Sequence, residues 1–125
     1  MQSWGIVPKI RELDAFLRSH PRLQPLVWEA HPEVSFRKMG GRLAPLHAKK
    51  SPEGRLERQR LISTRFGSAY KQALGGLPPG GWAMDDLLDA FAVLWTARRI
   101  AEGRAVTLPS GPPLDAFGLR MAIAF

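Results

Sequence analysis

Apolar residues recur over the first twenty positions at helical spacing. Ile6, Ile10, Leu13 and Leu17 fall three or four apart, so residues 5–19 are expected to form an amphipathic helix. His20-Pro21 ends it, because a residue before proline is pushed out of the α region. The pattern then changes. Leu26-Val27-Trp28-Glu29-Ala30 is a short, mostly apolar run and reads as a strand of the kind buried on both faces of a parallel sheet. Pro32 opens a short helix that Gly40-Gly41 stops. Residues 52–74 read as helix with a break near Gly67. Ser51 stands before them as N-cap and Pro52 takes the first helical position. Gly75-Gly76-Leu77-Pro78-Pro79-Gly80-Gly81 is a loop, without the Lys and Ser/Thr that would make it a phosphate loop. A second long helix is expected from about Asp85 to Glu102, with Leu88, Phe91, Ala92 and Trp95 toward a core. Residues 107–118 form a Pro/Gly-rich loop in which Asp115 is a turn residue. Leu119, Met121, Ile123 and Phe125 then alternate with Arg120, Ala122 and Ala124, the pattern of a terminal strand. There is no internal repeat. The expected class is α/β, mostly helical with two or so short strands, in one domain over residues 1–125.

The densest candidate chemistry is Asp85-Asp86-Leu87-Leu88-Asp89-Ala90, three carboxylates at the head of an apolar helix in a chain of net charge +7. Asp86 with Asp89, or Asp85 with Asp89, share a helix face. Clustered like charges disfavour ionisation and call for a compensating cation, and an all-oxygen site suits Mg²⁺ or Mn²⁺. The competing reading is that Asp85 caps the helix while the other acids complement its dipole; on these six residues alone, capping is the commoner role. Glu29 adds a second carboxylate region. A charge closing a buried strand is costly unless paired or metal-bound, and ligands gather at the carboxyl ends of strands. Glu29 with the Asp pair therefore makes half of a metal site, or else Glu29 faces water or an arginine.

Composition narrows the classes. No apolar run approaches the ~18 residues of a membrane span, and Met1-Gln2-Ser3-Trp4 lacks the basic flank of a signal peptide. With no cysteine, disulfides, thiolate catalysis and cysteine-ligated zinc are excluded, which fits the cytoplasm. His20, His31 and His47 lack zinc-ligand spacing, and Ser35 and Ser51 lack the context of a nucleophile elbow. Lys and Arg outnumber Asp and Glu by 18 to 11, and 13 of the 18 are arginine, a balance that suits a polyanion. Lys49, Lys50, Arg55 and Arg58 surround the helix start at Ser51-Pro52 and form either a phosphate-facing, nucleic-acid-binding surface or a solvated basic face.

Trp28-Glu29-Ala30-His31-Pro32-Glu33-Val34-Ser35-Phe36 resembles the E-x-H-P-E-x-S-F signature of predicted RNase H-like nucleases known as domain of unknown function 429. The resemblance runs collinearly through Trp4-Gly5-Ile6-Val7-Pro8-Lys9-Ile10, Lys49-Lys50-Ser51-Pro52-Glu53-Gly54-Arg55, Asp85–Ala90 and Gly118–Ile123. Asp86-x-x-Asp89-Ala90 is also similar to the D-x-x-D-A helix motif of bacterial Holliday-junction resolvases. The resemblance implies a partial RNase H-like fold and metal-dependent hydrolysis of nucleic-acid phosphodiesters with two Mg²⁺ or Mn²⁺ ions. It makes Glu29, Asp86 and Asp89 the catalytic ligands, with Asp85 as substitute if the helix phase differs by one. Glu33 stands behind the ligands, and Lys49, Lys50 and Arg55 hold the phosphate backbone. His31, beside the strand-end Glu29, either supports it from behind by orienting it or moving a proton, or makes a structural hydrogen bond, the commoner role of a single His.

Family members begin with a strand of the form G-x-D-G-x-x-x-G-W, whose Asp is the central metal ligand. No such segment occurs here, so the chain reads as the C-terminal part of the family, with an incomplete two-metal site and no activity by itself. The strand carrying Glu29 would lack its neighbour, which predicts a homodimer or a complex with a separate N-terminal half. The rival expectation is a non-catalytic nucleic-acid-binding or protein-interaction module.

Overall fold

Helix caps set the framework of the chain. The structure, a computed structural model, describes residues 3–41 and 47–125, and side chains from residue 5 onward within those ranges. Met1 and Gln2 of the Met1-Gln2-Ser3-Trp4 start lie outside the described residues, as does Arg42. Two compact units are present, one of residues 1–29 with 107–123 and one of residues 30–106 with 124–125.

Among the described residues, the second unit holds the helices α2 (Pro32–Gly40), α3 (Pro52–Phe66), α4 (Ser68–Gly76) and α5 (Met84–Ala101). Pro32 occupies the first turn of α2, and Gly41, at φ 62°, ends it by donating its N–H to the Lys38 carbonyl. Ser51 caps α3 by accepting the Gly54 N–H at 3.0 Å, with Pro52 following as expected. Gly67, at φ 49°, breaks the long helical stretch into α3 and α4. On α5, Leu88, Phe91, Ala92 and Thr96 are buried, a stripe at the i, i+3, i+4, i+8 spacing of one helix face. That stripe meets Phe36, Met39, Ile62 and Tyr70, with Phe66 and Trp95 packed at the margin. Phe66 and Tyr70 meet Phe91 edge-on, at centroid distances of 5.0 and 5.4 Å. Fully buried Phe36, Ile62 and Leu88 each contribute about 1.5–3 kcal/mol by leaving water. Ser35 and Thr96 put the only buried hydroxyl pair of the described residues into this core, 2.7 Å apart.

The first unit departs from expectation. α1 (Ser3–Ser19) forms, with Pro8 inside it. Of its apolar stripe, however, Leu17 alone is buried, while Ile6, Ile10 and Leu13 are about half exposed. The strand expected at 26–30 shrinks to β1 (Glu29–Ala30), because Pro21 and Pro25 lock a 3-10 helix over Pro21–Leu26. Leu26 is 74% exposed, so this is no strand buried on both faces. Trp28 instead lies under the Arg120 guanidinium, 3.5 Å from the ring centroid. Asp115 is a turn residue as expected: one carboxylate oxygen accepts the Phe117 and Leu119 N–H groups, both at 2.8 Å.

The loop predicted at 107–118 begins with a strand, β2 (Thr107–Leu108), and the terminal strand is confined to β3 (Ile123–Ala124). The three strands form one sheet in the order β1-β3-β2, which leaves β1 at an edge. Val106 and Phe125 exchange backbone hydrogen bonds of 2.9 and 3.0 Å next to β2 and β3, the reciprocal pairing of antiparallel chains. The chain is thus mainly helical with a small sheet, within the α/β class. Among the described residues no helix is long and apolar enough to cross a membrane.

Candidate functional site: the aspartate head of the long helix

The start of α5 is an acidic turn faced by cations from α3 and the segment before it. The N-cap is Ala83, with no side-chain hydrogen bond; Asp85 and Asp86 lie in the first turn. Asp85 is therefore not the cap that its position in sequence suggested. Both acids still complement the positive pole of the helix, and Asp89 follows one turn later. Asp86 is exposed and its carboxylate has no hydrogen bond or ion pair among the described residues.

Lys49 Nζ stands 2.5 Å from Asp89 Oδ2, and Arg55 Nε stands 3.7 Å from Asp85 Oδ1. The other oxygen of Asp89, Oδ1, is buried and has no hydrogen-bond partner among the described residues. A buried acceptor without a donor is costly, and a cation or a bound water relieves that cost. The donor set at this end is oxygen only, as hard divalent ions require. Two cations against three carboxylates leave one negative charge over.

Lys49 is placed by a local scaffold. Gly54, in the first turn of α3, lies so close to residues 47 and 48 that a Cβ there would stand 2.1 Å from the Ala48 carbonyl oxygen. Arg58, one turn on, donates from Nη1 to the carbonyls of His47 (3.1 Å) and Gly54 (2.8 Å). It also grips Glu33 at both carboxylate oxygens, through Nε at 3.1 Å and through Nη2, the bidentate geometry that arginine favours. Its side chain is 2% exposed, so Arg58 ties α2, α3 and the 47–49 segment together and presents no solvent-facing cation. Glu33 is thereby the counter-charge of a buried arginine.

The remaining candidates stand apart from these contacts. Lys50 and His31 are exposed; His31 precedes α2 as its N-cap residue, without a side-chain cap bond, while its carbonyl accepts the Ser35 hydroxyl at 3.3 Å. Glu29 is exposed at the start of β1, and its carboxylate has no hydrogen bond or ion pair among the described residues. Among the described residues no three His, Asp or Glu side chains are gathered as a metal site would gather them. Sequence reasoning passed over Gly54, whose signal was a glycine inside the first turn of an otherwise well-capped helix, a place where alanine is preferred.

No curated protein and no solved structure matches the chain. One family model does, over residues 1–114, and it takes in α1, the Arg58–Glu33 tie and the aspartate head alike. The chain belongs to that family, described as Protein of unknown function (DUF429).

Proposed function

We propose that this chain is the carboxylate-bearing part of an RNase H-like, metal-dependent nuclease that hydrolyses nucleic-acid phosphodiesters in the cytoplasm. The observation that carries the reading is the buried, unpartnered Oδ1 of Asp89, one helical turn from an Asp86 without a partner among the described residues. Asp86 and Asp89 would hold the ion, with Asp85 as substitute and Glu29 as the strand-borne ligand that the family resemblance implies. A bound Mg²⁺ or Mn²⁺ supplies an activated water and charge stabilisation at the leaving oxygen. The protein's own part is positioning. Lys49 fixes the Asp89 carboxylate through Oδ2 and leaves Oδ1 open. Arg55 offsets the charge of Asp85, Arg58 with Glu33 holds the scaffold, and exposed Lys50 meets the phosphate backbone.

In this reading the open edge of β1 pairs with a strand of another chain, either a second copy or a separate N-terminal half, and only the latter brings the family's Asp-bearing first strand. Without it the site is incomplete and the chain inactive alone. Calorimetric titration of Mn²⁺ and Mg²⁺, with Asp86→Asn as control, tests the metal site. Saturable binding that the substitution abolishes supports the reading, and cleavage assays with an added N-terminal half follow from it. A folded protein that binds neither ion sinks it.

A non-catalytic nucleic-acid-binding module is the second reading. It is favoured by the pairing of Lys49, Arg55 and Arg58 with Asp89, Asp85 and Glu33, which lets the carboxylates serve the fold alone. Under it, Asp86→Asn leaves both metal response and nucleic-acid affinity unchanged.

A further inference from the structure

The far end of α5 is as basic as its head is acidic. Lys38 from α2, Arg65 from α3, Arg98 and Arg99 from the last turn of α5, and Arg104 beyond it line a pocket of about 280 Å³, together with Trp95 and Glu102. Arginines in a last helical turn are expected, since they complement the negative pole of the helix. That does not account for Lys38 and Arg65, which arrive from two other helices. Five cations and one carboxylate line the pocket.

Several of these guanidinium groups, though solvent-facing, are tied to neighbouring groups. Arg99 lies over the Trp95 ring at 4.7 Å and donates from Nη2 to the Arg104 carbonyl at 2.5 Å. Its Nε is buried with no acceptor among the described residues. Arg65 is anchored by a 3.1 Å bond from Nη2 to the Met39 carbonyl, and Arg98 sits 5.9 Å from the Phe66 ring centroid. Stacked or anchored guanidinium groups lose little further freedom on binding an oxyanion. One anion already occupies the pocket: Glu102 is bonded to Arg104. Its carboxyl is held below the ordinary value by that hydrogen bond first, and then by the charges of Arg104, Arg98 and Arg99.

We infer that this pocket binds a phosphate group, with Glu102 as an internal counter-anion that the incoming phosphate displaces from Arg104. One carboxylate does not neutralise five cations, whereas a phosphate brings more charge and several acceptor oxygens to the arginine forks. The phosphate belongs either to a nucleic-acid backbone or to a free polyphosphate. Asp86 and Arg99 are thirteen residues apart on one helix, about 20 Å along its axis. The pocket is therefore separate from the aspartate head and owes nothing to the metal reading.

The test titrates pyrophosphate, and then a single-stranded oligonucleotide, into the full chain without divalent ions. Wild type is compared with Arg65→Gln/Arg98→Gln, with Glu102→Gln and with Asp86→Asn. Arg65 and Arg98 are exposed, so the double variant should fold, which its thermal transition verifies. Saturable pyrophosphate binding is expected, weakened roughly tenfold or more in the double variant because charge-assisted bonds are lost. Glu102→Gln should bind more tightly than wild type, a gain that general damage does not produce. Asp86→Asn should bind as wild type, whatever becomes of the metal reading. An oligonucleotide that competes with pyrophosphate identifies the backbone as the source, and its salt dependence should flatten by about one to two units of slope in the double variant. Pyrophosphate binding without such competition identifies a free polyphosphate. Absence of pyrophosphate binding, equal affinity of wild type and double variant, or no gain in Glu102→Gln overturns the inference.

Discussion

Lys49 Nζ and Asp89 Oδ2 lie 2.5 Å apart across forty positions of sequence, and that contact joins the segment before α3 to the head of α5. The two side chains are 34% and 27% exposed, so the pair is neither solvated nor sealed. Exposed pairs contribute about 0–1 kcal/mol, whereas breaking a buried one costs about 3–5 kcal/mol. Lys49→Met strips Asp89 of its one hydrogen-bond donor among the described residues, and a loss of about 1–2 kcal/mol is expected. Asp89→Asn in the Lys49→Met background should cost less than it does alone. Urea denaturation of the four proteins of that cycle gives the coupling; a value of zero would show that the contact does not stabilise the fold.

Ser35 and Thr96 make a sharper case, because both are essentially inaccessible to solvent. Their hydroxyl oxygens are 2.7 Å apart and link α2 to α5 inside the core. Ser35→Ala leaves the Thr96 hydroxyl without its partner and should cost about 1–3 kcal/mol. Ser35→Ala with Thr96→Val removes both polar groups at nearly constant shape and should recover much of that loss. If the double variant is as unstable as the sum of the singles, the pair is not the source of the cost.

The parts of the fold that were legible in sequence are those with a local code. Ser51-Pro52, Gly41 and Gly67 mark helix ends through hydrogen bonds and backbone angles set within a few residues, and each acts where expected. α5 runs over Met84–Ala101, one residue from the range its periodicity predicts. The run at 26–30 misled because a short apolar stretch has no period of its own; Pro21 and Pro25 impose a 3-10 turn that ends only at Leu26. The α1 stripe predicted the helix but not what covers it, since burial depends on distant partners. The same holds for charge. Asp85, Asp89, Lys49, Arg55, Arg58 and Glu33 all stand out in sequence, but nothing local says that the cations face those carboxylates. The basic pocket draws on residues 38, 65 and 98–104, which no window along the chain brings together.

Glu53, at the start of α3, carries a pH dependence with a definite sign. Hydrogen bonding to its own backbone N–H, and then to the Ser51 side chain, holds its carboxyl below the ordinary 4.5. A folded-state value below the unfolded one means that the unfolded chain binds more protons as the medium turns acidic. The contribution of Glu53 is therefore present above the unfolded value and is lost as pH falls through the folded one. Glu53→Gln should lower the urea midpoint near neutral pH and converge with wild type once the pH has fallen below the folded-state value of Glu53. Parallel curves across that range would show that the carboxylate does not stabilise the start of α3.

Gly54 is the position where the usual preference for alanine in a helix should reverse. At an unobstructed helical site, Gly→Ala stabilises by about 0.4–1 kcal/mol through the unfolded state. Gly75, within α4 and with no atom near its missing Cβ, is such a site. A Cβ at Gly54 instead falls 2.1 Å from the Ala48 oxygen and 2.9 Å from the His47 oxygen, both backbone atoms. Residues 47 and 48 must then move, and with them the acceptor of Arg58 at His47, the Ser51 N–H bond to Ala48 and the reach of Lys49 to Asp89. Gly54→Ala is expected to destabilise by about 2 kcal/mol or more, as overpacking against unyielding atoms does, while Gly75→Ala is neutral or stabilising. Because Lys49 moves with the strained segment, Lys49→Met should cost less in the Gly54→Ala background than in wild type. Equal behaviour of the two glycine variants in urea, or a full Lys49→Met penalty after Gly54→Ala, would separate the glycine from the aspartate head.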